Sequence, residues 1–154
     1  MQEVGTDTRG LEGLDRRLGE LLRGLPELKR ATYEELGDRL LDAVQSRVGG
    51  AGKVQSWQSK FVGSGGGYAA VRPAAKQDDG HGYAVGAVTN AVTAGHKVRG
   101  PSGRAERYRP RLARTRVAGK QFYRDAQTDA ERLAREAGER LAREIERRVG
   151  EAGE

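Results

Sequence analysis

The stretch GYAVGAVTNAVTAGHKVRG, residues 82–100, decides how the chain is organised. Its first half is small and apolar, with Tyr83, Val85, Ala87 and Val88, and its second half passes through Asn90, Gly95 and His96 into Lys97 and Arg99. Glycine-bounded and rich in valine and threonine, 82–90 reads as a β-strand, and Gly95 permits a turn that a side chain would hinder. A strand here predicts an α+β fold: a small antiparallel sheet flanked by an N-terminal helix pair and a long C-terminal helix, with a long basic loop leaving the sheet.

Upstream, between Lys53 and Asn90, short segments alternate with glycine: VQSWQSKFV, GSGGG, YAAVRP, KQDDGHG and YAVGAVTN. Trp57, Ser59 and Phe61 share one parity, and the GSGGG and DDG stretches are turn-forming, which predicts a meander of hairpins. Before it, Leu11, Leu14, Leu18, Leu21 and Leu22 follow helical spacing over 11–24, behind a cap at Thr8. Pro26 suits the first turn of a second helix, whose stripe of Leu28, Leu36, Leu40, Val44 and Val48 stops at Gly49 and Gly50.

Downstream, 97–116 carries eight basic residues against the single acid Glu106, and the rest of the chain is close to neutral. Pro101, Gly103 and Pro110 oppose helix, and the charge density opposes a core, so this segment reads as an extended loop. Fully extended it would span about 66–72 Å, enough to reach a neighbouring subunit. From Tyr123 to Val149 the helical period returns, with Ala126, Ala130, Leu133, Ala137, Leu141, Ile145 and Val149 on one face and many acid–arginine pairs at i,i+4 spacing.

The length of 154 residues fits one domain over 1–154, with 1–9 as an N-terminal tail and 97–116 as the extended loop. The chain has no cysteine, which excludes disulfides, thiolate nucleophiles and Cys-based zinc sites. The N-terminus lacks the pattern of a signal peptide, and the longest uncharged stretch is too short and glycine-rich to span a bilayer, so a soluble protein is expected. GSGGGYAAVR has no following Lys-Ser or Lys-Thr and fails as a P-loop. His81 and His96 are the only histidines and lack metal-site spacing, Asp78 and Asp79 fall in a turn, and no nucleophile–base–acid set presents itself. No cofactor, no metal and no catalytic activity are expected. Trp57, Phe61, Tyr68, Tyr83 and Phe122 are expected to build the core rather than a base-stacking platform.

The order of residues carries a resemblance. Tyr83, Thr89-Asn90 and Gly95-His96, followed by Val117-Ala118-Gly119 and Phe122-Tyr123 and then a long charged helix, resemble the tail-component or head–tail joining (neck) proteins of long-tailed double-stranded DNA phages. The similarity spans roughly residues 10–149, with a leading LxxLxxxLPEL segment at 18–28 and a middle AGKVQSW. Thr93-Ala94 departs from the acidic and aromatic residues often found before the glycine, and Ala118 stands where proline is common.

The resemblance implies a structural virion protein, assembled in the host cytoplasm, that forms a homo-oligomeric ring, commonly a hexamer, at the head–tail junction. Its partners would be itself, a portal–adaptor or stopper ring on one side and a tail terminator or tail-tube protein on the other, with transient contact to genome DNA in the channel and none to a membrane. Arg99, Arg104, Arg107, Arg109, Arg111, Arg114 and Arg116 are the expected partner-binding residues, because arginine forks carboxylates bidentately. Two other readings stand beside this one: a tail terminator ring capping the tube, and a basic nucleic-acid-binding protein whose arginines contact phosphate.

Overall fold

The computed structural model describes residues 9–49, 52–74, 78–98 and 115–153. The cap at Thr8, the stop at Gly50 and the arginines at 99, 104, 107, 109, 111 and 114 lie outside the described residues. The architecture is α+β, with a long N-terminal helix, a long C-terminal helix and a small antiparallel sheet.

The expected N-terminal helix pair is one helix, α1, Arg9–Val48, of 40 residues. Pro26 lies inside it and deprives the Leu22 carbonyl of its helical donor. Pro26 is exposed and Leu22 is 67% exposed, so that carbonyl belongs to a solvent-facing turn and needs no protein partner. The expected segment 54–62 also divides. Val54–Trp57 is a single helical turn, α2, which buries Val54, and only Gln58–Val62 is extended, as β1. β1 pairs antiparallel with β2, Ala69–Pro73, in the register Gln58 to Pro73 through Val62 to Ala69.

This hairpin lies across α1 at Gly37, where an added Cβ would meet the Lys60 side chain at 3.4 Å. Lys60 Nζ donates to Asp38 at 2.7 Å and pairs with Glu34 at 3.3 Å, tying strand to helix. In the connection, Gly63 leaves space for the Tyr68 ring, which lies 6.0 Å from Phe61, while Arg72 stands 4.0 Å over the Phe61 ring.

The largest departure from the sequence reading is at 82–90. Val85–Ala94 is a helix, α3, not a strand. Alternation would put Tyr83, Val85 and Ala87 on one face, yet Val85 is buried and its two neighbours of the same parity are exposed. Val85 and Thr89 are buried and Val88 and Val92 half-buried, which is helical spacing, while Ala87, Asn90 and Ala94 are exposed. Among the described residues the meander is thereby replaced by two separate two-stranded ladders. The second joins β3, Gly95–Lys97, to β4, Arg116–Ala118.

The C-terminal helix is also in two pieces, α4, Phe122–Asp125, and α5, Gln127–Gly153, joined at the buried Ala126. α1 and α5 run antiparallel, bound by Arg39 to Glu136 and Arg140 to Glu35, each at 2.9 Å, and by Arg47 to Asp129. Between them Leu36, Leu133 and Ala137 form one core cluster, with Tyr33, Leu40, Ala43 and Ala69 against it. A second cluster joins Val44, Val48, Val54, Phe122 and Ala126, with Trp57, Val71, Val92 and Tyr123 packed on it. Of the aromatics expected in the core, Phe122 is fully buried, but Tyr68 and Tyr83 are exposed, because each lies in a glycine-rich connection outside the helix and strand faces.

Candidate functional site

The sequence places the basic segment after a change of character at Gly95, and the structure shows how the chain accomplishes it. α3 ends with Gly95 at φ +78, a conformation a side chain would strain. The last carbonyls of a helix lack helical donors. Here the returning chain supplies them: Lys120 N donates to the Val92 carbonyl at 2.9 Å and Gln121 N to the Thr93 carbonyl at 3.0 Å. Gln121 adopts a left-handed φ of 53 and opens α4. Lys120 Nζ reaches the Gly49 carbonyl at 2.7 Å, so one residue serves the C-terminal ends of both α3 and α1.

The ladder that holds the two ends of the basic segment together is three pairs long: Gly95 with Ala118, His96 with Val117, and Lys97 with Arg116. Val98 N adds a bond to the Thr115 carbonyl at 3.0 Å. The segment is therefore not free at its ends as the extended-loop reading supposed; Lys97 and Arg116 are cross-strand partners, both exposed. Like charges directly opposite on adjacent strands repel. An anionic group above this ladder would relieve that repulsion.

Beside the ladder lies an apolar groove of about 680 Å³, lined by Tyr83, Ala87, Val88, Ala91, Val92, His96, Lys97 and Val98. α3 carries no charged residue in a chain that is 32% charged, and its outer face presents Ala87, Asn90 and Ala94 to solvent. Tyr83 is 64% exposed and Val117 43% exposed at the edges of the same region. Contiguous exposed apolar surface bounded by polar residues marks interaction sites. The chemistry available is docking: an uncharged shelf of small side chains with a cationic border.

Of the motif residues, Gly95 and Gly119 meet backbone to backbone at the base of the ladder. Tyr83 and His96 line the groove, and Asn90 projects from the adjoining helix face. Phe122 and Tyr123 belong to the core instead, and Tyr123 donates its hydroxyl to Gln58 Oε1, with burial holding the phenol above its ordinary pKa. Gln58, itself buried, satisfies its other end on the Val54 carbonyl at 3.0 Å. Only Arg116 of the seven proposed arginines lies within the described residues, and it stands in β4. The sequence reading missed Val88, Ala91 and Val117 as surface contributors. The signal for the first two was the uncharged run itself, read with helical rather than alternating period.

His81 and His96 are exposed. Asp79 accepts from the His81 and Tyr83 backbone nitrogens at 2.8 and 3.1 Å, and those bonds lower its pKa. Its carboxylate thereby shapes the turn before α3. Among the described residues, no group of three or more His, Cys, Asp or Glu is placed to hold a metal ion, and no helix is long and apolar enough to cross a membrane.

No family model, curated protein or solved structure matches this chain.

Proposed function

We propose that this chain is a structural virion protein of a long-tailed double-stranded DNA phage, a subunit that self-assembles into a ring at the head–tail junction and docks between the portal–adaptor assembly and the tail. The string of Tyr83, Asn90, Gly95, His96, Gly119, Phe122 and Tyr123 supports this by its resemblance to neck proteins. The observation that carries the reading is the apposition of Gly95 and Gly119, which lets the returning backbone close the end of α3. It sets both ends of the arginine-rich segment at the edge of a mainly apolar groove, an arrangement suited to binding protein surfaces by apolar contact and charge together.

Electron microscopy of tailed particles labelled on this subunit tests the proposal. A few symmetric copies at the neck are expected; copies capping the tail tube below it would favour a terminator, and absence from particles would remove the reading.

One observation favours a second reading. Lys97 opposite Arg116 calls for an anion, and phosphate serves as well as carboxylate. A basic nucleic-acid-binding protein would bind duplex DNA with a log–log salt slope of about 0.9 per neutralised phosphate, and absence of binding at low salt eliminates it.

A further inference from the structure

Among the described residues two apolar surfaces have nothing packed on them, and they lie toward opposite ends of α1. One is the α3 groove, whose Val92 packs on the cluster of Val44 and Val48 at the C-terminal end of α1. The other is at the N-terminal end of the same helix, where Leu11, Leu14, Leu18 and Leu22 are 65, 39, 37 and 67% exposed. Leu11 and Val44 are about 50 Å apart at 1.5 Å per residue along α1. The leucines and the groove therefore cannot meet within one chain.

We infer that they meet between chains: the leucine-bearing end of α1 of one copy lies in the α3 groove of the next. The leucines recur at intervals of three and four, the pattern by which a helix enters an apolar groove. On α1, Arg17 faces α5, donating to the Glu151 carbonyl at 3.4 Å. At 3.6 residues per turn, Leu11, Leu18 and Leu22 point away from that side, with Asp15 next to them and Glu12 beyond it. Asp15 and Glu12 are exposed, and the equally exposed Arg16 and Arg23 lie further round the helix from the leucines than Asp15. The groove's edge carries Lys97 and Arg116, a cross-strand pair with no acidic partner among the described residues. Apolar stripe meets apolar groove and acid meets base, and α3, with no charged side chain, sets no ionic obstacle.

A contact between two different surfaces of identical chains is heterologous, and it propagates head to tail until it closes into a ring or runs on as a filament. The inference thus deepens the ring-assembly reading and gives it a specific contact. It is nevertheless separable from the virion location, since it concerns only how copies associate.

The cysteine-free chain makes the test direct. Full-length Leu18→Cys and Ala91→Cys variants, each checked for native helicity by circular dichroism, are mixed and treated with a short bismaleimide. The expected result is a Leu18→Cys to Ala91→Cys dimer with at most a trace of either same-variant dimer, whereas random pairing would give the two kinds in equal total amount. Leu18→Asp, read by sedimentation, is expected to raise the concentration for half-assembly about tenfold or more. Same-variant dimers alone would establish a two-fold contact and overturn the inference, as would assembly unaffected by Leu18→Asp. A chain that stays monomeric throughout would overturn both the contact and the ring, whereas assembly without the mixed crosslink would overturn the contact alone.

Discussion

Gly95 and Gly119 lie backbone against backbone, so close that a Cβ built on either would stand 2.6 Å from the other's nitrogen. The relationship explains why two small residues punctuate the ends of the basic segment. Only without side chains can the returning strand approach near enough for Lys120 and Gln121 to donate to the Val92 and Thr93 carbonyls.

Gly119→Ala is therefore expected to destabilise the chain by about 2–3 kcal/mol, because the added methyl meets backbone that has nowhere to move. Gly138→Ala is the counterpart. Gly138 is exposed in α5 with nothing within 4 Å of its added Cβ, so alanine there should stabilise by about 1 kcal/mol. Urea denaturation of both variants checks the pair, and equal effects of the same sign would contradict the geometry.

Thr89 is fully buried in α3, and its hydroxyl oxygen has no hydrogen-bond partner among the described residues. A buried polar group without a partner carries its full desolvation cost. Thr89→Val keeps the shape and removes that cost, so it should raise stability by about 1 kcal/mol in the same measurement. A loss of stability would mean that the hydroxyl is satisfied in solution.

The helices α1 and α5 were legible because their buried residues repeat with helical spacing: Leu36, Val44 and Val48 on one, Leu133 and Ala137 on the other, in step with Ala126 just before it. α3 was not, although Val85, Thr89 and Val92 hold the same spacing. The run is only ten residues long, and its valines and threonines favour strand, so local preference and period disagreed and packing decided, with Val92 lying against the core cluster that includes Val54. Pro26 misled for a different reason. A proline ends a helix when the freed carbonyl has no alternative partner, and on an exposed turn water is that partner. The site was half legible: the glycines and the charge were visible in sequence, but the Lys97–Arg116 pairing needed a register that no local pattern encodes.

Acid should weaken the α5 end of the molecule. Hydrogen bonds from Arg147 and then Arg148 hold the Glu144 carboxyl at about 2, below its ordinary 4.5. Arg132 and Arg39 lower Glu136 likewise. A folded-state pKa below the unfolded one gives stability that is complete above the unfolded value and is lost as pH falls through the folded value. Thermal midpoints are expected to fall between about pH 5 and pH 2, and to fall less steeply in Glu144→Gln. High salt should flatten the difference, since these pairs are solvent-exposed. An identical pH profile for the variant would remove Glu144 from the account.

The Lys97–Arg116 pair offers a test in which fold and function pull apart. If the two cations are juxtaposed only as solvated surface, changing one to an acid should help the fold and harm nothing, because an opposite-charge cross-strand pair contributes about 0.2–1 kcal/mol. If they are held together to receive an acidic neighbour, Lys97→Glu should raise the thermal midpoint of the isolated chain and still weaken its self-association. The repulsion relieved in the ladder reappears against Asp15 and Glu12 of the docking copy. Reversing the sign of those acids, with Glu12→Lys and Asp15→Lys in the Lys97→Glu background, should restore part of the lost association, which a generally damaged surface would not permit. Sedimentation of the single and triple variants beside their melting curves reads both effects. A Lys97→Glu chain that is more stable and assembles as well as the parent would show the cationic border to be a bystander, and the docking contact would have to rest on the leucines alone.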